Sequence, residues 1–588
     1  MKRCPLSRYR LGVVVLGLIA LHAAVLWRLV DLQILRADEM QQIVQRQHER
    51  VLELDPIRGD IYDRNGKELA LSRDVYSIYA NPSQVKSANR TARQLARLLQ
   101  VNEAKLRKRL KKDGYFVWIK RKISESEKTE IEKLQLPGVK FIEESQRAYP
   151  NGELASHVLG YVGIDNAGLA GIEYSHDNVI RGEPGLVRTY QNGYGEGIRT
   201  RTEKRPTGGA ALVLTIDRVL QHLAERELVA AVKKSHAKSG SVVILNPANG
   251  AVLAMANVPT YDPNRFQRYS QSSWRNRAVA DAFEPGSTFK MFVAATALEE
   301  RVARPTDLID CQNGAVRVGR RKVRDHKPFG ELTFSQVLEL SSNVGIIKIS
   351  SRLDAPRLFE SLAAFGFGAR TGVGLPGENS GILRSPAAWS ALSQAMISMG
   401  QEVSVTPLQL AAATATLANG GVYHHPYIVQ RVIGRDGRVL RVAKGSPGRR
   451  VISPATAETL QRILSGVVLR GTGRLASVPG YTVAGKTGTA QKIDSTGRYS
   501  PDDFVASFVG WVPLESPALT ILVVIDSPRG NYHGGVIAAP VFSRIAQPAL
   551  QYLRVQPSLL ARRAASAPPI VAEASTASER ARFADRSR

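Results

Sequence analysis

From Leu11 to Trp27 the chain carries no Lys, Arg, Asp or Glu. That is about the minimum apolar length for a helix to span a bilayer, so whatever this chain folds into is tethered at one end. Lys2, Arg3, Arg8 and Arg10 precede the run. Positive charge on that side keeps a short N-terminus in the cytoplasm and exports the remainder. The expected plan therefore opens with a cytoplasmic stretch at 1–10 and a transmembrane anchor at 11–30. A cleaved export signal is the competing reading. No small-x-small cleavage site follows the run, and Arg28, Leu29, Val30, Leu32, Ile34 and Leu35 continue an amphipathic pattern. Gly12, Gly17, Ala20, Ala23 and Ala24 would let the anchor pack closely on another helix, or they simply face lipid.

The chain has 588 residues, enough for two or more domains, and its hydrophobic content of 43% supplies large cores. A formal net charge of +28 raises the question of nucleic acid, but no nucleic-acid-binding motif accompanies it and aromatics are only 6%. Anionic lipid and an anionic polymer are the better-matched neighbours. Cys4 and Cys311 are too few and too separated for a disulfide framework. No C-x-x-C or H-E-x-x-H occurs, and His424-His425 reads as loop, so no metal site and no cofactor are expected.

After the anchor come turns and alternating strands. Asn65-Gly66 is a hairpin signal, and Val75 to Ala80 reads as a strand ended by Asn81-Pro82. Ala92 to Lys112 reads as helical and strongly basic: either a solvated face or an electrostatic docking surface. Leu220 to Val232 is a helical pattern. Ser241 to Ala256 reads as a hairpin around Asn249-Gly250, and Phe504 to Val512 and Leu519 to Ile525 as returning strands. Hairpin, helices and returning strands make an α+β domain with an antiparallel sheet and flanking helices. From Val555 the composition turns to Ala, Arg, Ser and Pro, so 555–588 is expected to be a disordered tail.

Three short motifs carry chemistry, in order: Ser287-Thr288-Phe289-Lys290, Ser341-Ser342-Asn343 and Lys486-Thr487-Gly488-Thr489. A serine and a lysine three apart share a helix face, and a neutral lysine there can take the hydroxyl proton. The tetrad alone is weak evidence. Ser83-Gln84-Val85-Lys86 and Ser235-His236-Ala237-Lys238 have the same spacing, but neither opens an apolar helical run. The match at Ser287 does, through Met291 to Leu298, after a Phe283-Glu284-Pro285-Gly286 turn. S-x-x-K followed by S-x-N and K-T-G is the signature shared by penicillin-binding proteins and serine β-lactamases.

The whole chain to about residue 550 resembles the class B penicillin-binding proteins. Arg58-Gly59-Asp60-Ile61-Tyr62-Asp63-Arg64-Asn65-Gly66 resembles the motif of their pedestal module. Arg147-Ala148-Tyr149-Pro150, Ser156-His157-Val158-Leu159-Gly160 and Gly168-Leu169-Ala170-Gly171-Ile172-Glu173 resemble the rest of that module, and Thr406-Pro407-Leu408-Gln409 a stretch of the catalytic domain. Met399-Gly400-Gln401-Glu402 departs from the Gly-Tyr-Gly stretch often found there, which leaves the shape of one cleft wall open. The resemblance implies a β-rich pedestal (dimerisation-type) domain at 50–205 and a penicillin-binding transpeptidase domain at 238–552. It implies a serine-type D-Ala-D-Ala transpeptidase of the carboxypeptidase class, cross-linking peptidoglycan stem peptides and acylated by β-lactams. It places the chain in the bacterial inner membrane with its catalytic domain periplasmic. The Ser-Ser-Asn form of the middle motif and the lack of extra C-terminal modules favour a septal enzyme over a side-wall one.

The resemblance also implies roles. Ser287 is the nucleophile and Lys290 its base, which needs a depressed pKa; a nearby second cation would help, and Lys486 is the candidate. Ser341 relays a proton and Asn343 orients Lys290 and the substrate amide. Thr487 and Thr489 hold the substrate carboxylate with Lys486, and Gly488 leaves room for the substrate to pair along the strand. The backbone N–H groups of Ser287 and Thr489 form the oxyanion hole. No glycosyltransferase domain precedes Ser239, so strand polymerisation falls to a partner, by resemblance the membrane glycosyltransferase FtsW with other division proteins. A side-wall transpeptidase, a β-lactam-resistance or sensor protein, and a catalytically idle division scaffold stay open. Glu378 is the nearest candidate for a deacylating base of the β-lactamase kind.

Overall fold

The computed structural model describes residues 6–37, 49–191, 197–319, 321–443, 445, 447–494 and 496–558. Cys4 and, from residue 559 on, the expected tail lie outside the described residues. The Leu6–Val30 helix runs into a short π-helical turn, Asp31–Leu35, where Arg28 pairs with Asp31 at 2.7 Å. Among the described residues, Tyr9–Leu35 is the one helical segment long and apolar enough to cross a membrane.

The chain divides into two compact units: Met1–Gly59, Ser72–Arg147 and Asn178–Ala210 form the first, and Asp60–Leu71, Ala148–Asp177 and Ala211–Arg588 the second. In the first, Glu49–Leu54, Gly185–Gln191 and Gly197–Lys204 make a three-stranded antiparallel sheet. Its other part packs helices Ala88–Leu99, Glu103–Leu110 and Glu125–Glu132 around Ile78, Leu95, Leu106, Leu110 and Ile119. The stretch expected to be helical from Ala92 to Lys112 is two helices. Gln100 ends the first in a left-handed conformation, and the Asn102 side chain accepts from Lys105 N–H to start the second.

Two segments inside the expected pedestal span, Asp60–Leu71 and Ala148–Asp177, belong to the second unit. Ile61–Tyr62 pairs in parallel with Ala211–Leu214. Tyr261 Oη donates to the Ser156 carbonyl at 2.9 Å, and His157 Nε2 lies 2.9 Å from the Ser273 carbonyl.

The centre of the second unit is a five-stranded sheet in the order Val252–Val258, Ser239–Leu245, Leu519–Asp526, Tyr499–Val512, Ala484–Ile493. Every neighbouring pair is antiparallel, the α+β arrangement expected. Helices Arg218–Lys234 and Ala539–Tyr552 contribute Leu220, Leu228, Phe542 and Ile545 to a core with Val242, Ile244 and Phe508 of the sheet. The Pro407–Ala418 helix is buried along its whole length and packs on the central strands. The Lys290–Glu299 helix is likewise buried on almost every side, which is why its sequence is apolar without a polar face. Ala484–Ile493, the strand bearing the third motif, stands at the edge of the sheet and so keeps one side of its backbone free for another strand.

Candidate active site

Ser287, the expected nucleophile, sits at a built turn. Phe283 N–H donates to Val405 and Gly286 N–H to the Gly400 carbonyl at 3.1 Å, fixing the turn that precedes Ser287. Gly286–Phe289 is a single 3-10 turn that leads into the Lys290–Glu299 helix. Ser287 is half-buried, and its hydroxyl has no hydrogen-bond partner among the described residues. Gly400 explains part of the Met399–Glu402 departure. A Cβ there would come within 2.2 Å of the Gly286 carbonyl oxygen, so this stretch can back the turn only with glycine at that point.

The second motif caps a helix. Ser341 holds a left-handed conformation, φ 63°, between the Phe334–Glu339 and Asn343–Ser350 helices. Such a backbone costs a non-glycine residue on the order of 1–3 kcal/mol. It turns both the carbonyl and the hydroxyl of Ser341 toward amines. Lys290 Nζ donates to the Ser341 carbonyl oxygen and to Asn343 Oδ1, each at 2.7 Å, and lies 3.4 Å from Ser341 Oγ. Lys486 Nζ donates to Ser341 Oγ at 2.9 Å. One hydroxyl is thus flanked by two lysine amines, the arrangement a proton relay needs.

The third motif divides between the faces of its strand. Lys486 reaches Ser341. Thr487 Oγ1 lies 2.7 Å from Thr472 Oγ1, and Thr489 Oγ1 accepts from Gly534 N–H at 3.1 Å. Side chains alternate along a strand, so the two threonines do not share the face of Lys486. Gly488 has a tighter reason to be glycine than substrate pairing. A Cβ there would meet Ser507 Oγ at 2.3 Å, Thr288 Cγ2 at 2.9 Å and the Pro285 carbonyl at 3.0 Å. The strand can approach the Ser287 turn only without a side chain.

Burial sets the electrostatics. Lys290 and Lys486 are both 0% exposed. Removal from water pushes the Lys290 ammonium down to about 7, opposed by the negative charge of Asp325. Lys486 falls well below its ordinary value, first through burial and then through repulsion by Lys290. The expectation has a second cation helping to depress Lys290; the lowering here comes from desolvation. His326, lowered by burial and then by Lys290, faces the same charges.

Asp325 is the residue that motif reading missed. Its Oδ2 accepts from Ser342 Oγ at 2.7 Å, and its Oδ1 from Asn343 N–H and from Val344 N–H at 3.1 Å. Asn343 Nδ2 donates to the neighbouring Arg324 carbonyl at 2.9 Å. One carboxylate thus holds the turn and the helix start of the Ser-Ser-Asn motif. Its sequence signal is the lone acid in the basic run Arg320-Arg321-Lys322-Val323-Arg324-Asp325-His326-Lys327. Glu378 closes its own loop, accepting from Thr371 N–H at 2.7 Å and Gly372 N–H at 3.2 Å. Ser83 lies in a 3-10 turn, and Ser235 ends a helix, its hydroxyl on the Ala231 carbonyl.

A serine at the head of a buried helix, a lysine pair around a second serine and an edge strand for an extended peptide define a penicillin-recognising acyl-transfer domain. Sequence comparison agrees. The family described as penicillin binding protein transpeptidase domain matches residues 240–547, and that described as penicillin-binding protein dimerisation domain matches residues 53–214. The stage V sporulation protein D of Bacillus subtilis is 37% identical over 90% of this chain and 83% of its own length. The peptidoglycan D,D-transpeptidase FtsI of Escherichia coli K12 is 34% identical over 93% of this chain and 92% of its own. The crystal structure of penicillin binding protein 3 from Mycobacterium tuberculosis with aztreonam superposes at a TM-score of 0.69, with 30% identity, covering 87% of this chain and 98% of that one. The chain belongs to the class B penicillin-binding proteins.

Proposed function

We propose that this protein is a peptidoglycan D,D-transpeptidase that cross-links stem peptides at the division septum. The observation that carries the chemistry is the Lys290–Ser341–Lys486 cluster beside a half-buried Ser287. Neutral Lys290 takes the Ser287 proton as Oγ attacks the carbonyl between the two terminal D-alanines of a donor. The tetrahedral oxyanion is held by the Ser287 and Thr489 N–H groups, each such donor being worth roughly 2.7–4 kcal/mol. The C–N bond breaks, the leaving amine takes a proton through Ser341, and D-alanine departs. An acceptor amine then attacks the ester, gives its proton to Lys290, and Ser287 Oγ leaves and is reprotonated. Asn343 keeps the Lys290 amine aligned. Thr487, Gly488 and Thr489 present the strand edge, with Lys486 supplying charge near the donor carboxylate.

The enzyme should release D-alanine from a D-Ala-D-Ala donor peptide and join the donor to an added amine. Penicillin should block both, and Ser287→Ala should lose both. Retained release by Ser287→Ala would contradict the reading. The penicilloyl-enzyme should persist for many minutes, because Glu378 is committed to its loop. Turnover of a chromogenic cephalosporin at about 1–1000 per second would identify a β-lactamase instead.

The septal role rests on the Ser-Ser-Asn form of the motif and on similarity to a protein named FtsI, and a sporulation relative of comparable similarity is the competing case. Depletion giving filaments supports septal work, rounding points to the side wall, and a defect confined to sporulation to the third alternative. In this reading the protein is inserted once in the bacterial inner membrane, N-terminus inside and catalytic domain periplasmic, which the Tyr9–Leu35 span and the positive residues before it support. We place the pedestal at 50–205 and the transpeptidase domain at 238–552 in this scheme, with the anchor recruiting FtsW. Replacing Leu11 to Trp27 with an unrelated spanning helix should keep penicillin acylation but impair division. Normal division with such an anchor would reduce it to a tether.

A further inference from the structure

The Ala88–Leu99 helix buries Thr91, Ala92, Leu95 and Leu99, and the Glu103–Leu110 helix buries Leu106 and Leu110. Helical periodicity then sends their cations outward. Arg90, Arg93, Arg97, Lys105, Lys108 and Lys112 are all exposed. None of these side chains has a hydrogen-bond or ion-pair partner among the described residues. From Lys86 to Lys112 the only acid is Glu103, which lies 4.0 Å from Arg107. A folded surface with this many unpaired like charges is repulsive by itself and is relieved by a polyanion.

We infer that this face binds the anionic peptidoglycan strand through its stem-peptide carboxylates. The inference rests on the transpeptidase reading, because that reading puts such a polymer next to the protein. Each stem ending in D-Ala-D-Ala carries a free carboxylate, and the carboxylates recur along a strand. An array of cations meets an array of anions, and many weak contacts hold the enzyme on its polymer between reactions. Lipid is the less favoured occupant. Leu98 is the only large apolar side chain exposed between Lys86 and Lys112, so the face has no apolar wedge to insert.

Full-length protein in phosphatidylcholine nanodiscs, acylated beforehand with penicillin to close the cleft, is mixed with purified sacculi and sedimented. Wild-type protein should sediment at low salt and be released at high salt. Arg97→Glu/Lys105→Glu/Lys108→Glu should weaken sedimentation at least about tenfold while acylating normally. A variant that fails to acylate is replaced by the milder Arg97→Gln/Lys105→Gln/Lys108→Gln, for which a severalfold weakening is expected. Unchanged sedimentation of the acylating variant overturns the proposal. So does loss of wild-type sedimentation when the nanodiscs contain phosphatidylglycerol, which would show lipid taking the face. Failure of the transpeptidase reading shows elsewhere, as absence of penicillin acylation in the wild type.

Discussion

The two basic regions of this molecule use one residue type in opposite ways. Lys290 and Lys486 are stripped of water and point at one serine hydroxyl. Lys105, Lys108 and Lys112 stand in solvent, their side chains without hydrogen-bond or ion-pair partners among the described residues. A charge in water costs nothing to hold and attracts at long range. A charge without water is expensive to hold, so burial favours the neutral amine, the form a general base needs. Environment decides which lysine does chemistry.

That contrast breaks most sharply at the nucleophile. Ser287→Ala should abolish covalent penicillin labelling, while Ser83→Ala and Ser235→Ala leave it intact, as read by mass mapping of the labelled peptide. Next in size, Lys290→Gln should slow acylation by roughly 10²–10⁴-fold, the range for loss of a general base, whereas Lys105→Gln should leave the rate unchanged in the same stopped-flow assay.

Asp325 sharpens the comparison, because it is the one carboxylate that favours the charged form of Lys290. Asp325→Asn removes that attraction, and Lys486 and His326, the other titratable groups facing Lys290, do not restore it. The Lys290 pKa should fall, so the acid limb of the acylation rate should move to lower pH. The plateau should drop about tenfold if the carboxylate also aligns Asn343, on the scale of a lost charged hydrogen bond. A plateau loss with no shift of the limb would leave Asp325 only a structural role. Smaller still, Gly488→Ala should destabilise the protein by about 1–3 kcal/mol through overpacking, read in thermal unfolding. Lys108→Ala should stay within about 0.5 kcal/mol of wild type.

Much of this was legible in the sequence. Apolar runs at 504–512 and 519–525 and the hairpin at 241–256 gave an antiparallel sheet, because short near-continuous apolar runs bounded by turns suit strands buried on both faces. The first motif stood out because it opens an apolar helix and the second because it caps one, while Lys486-Thr487-Gly488-Thr489 lies inside a strand and was picked out by its order after them. Asp325 was not, since it lies outside those motifs and its role depends on a hairpin folding back onto the Asn343–Ser350 helix. Nor was the split at Gln100, where a left-handed cap interrupts a stretch that composition alone reads as continuous. The reason for Gly488 was hidden for the same cause: the close approach of Thr288 and Ser507 is a tertiary fact. The desolvation that lowers Lys290 was not legible either, because burial at the head of an apolar helix leaves no mark on spacing.

The central claim is that Ser287 is activated by a buried lysine made neutral by loss of water. The most direct test is the pH dependence of the second-order acylation rate with a fluorescent penicillin, measured on the intact protein. The label should map to Ser287, and the rate should rise with pH along a single limb centred near the value of about 7 set by Lys290 and then level off. A rate that keeps climbing toward the ordinary lysine range near 10.4, or a label on any other serine, would contradict the account.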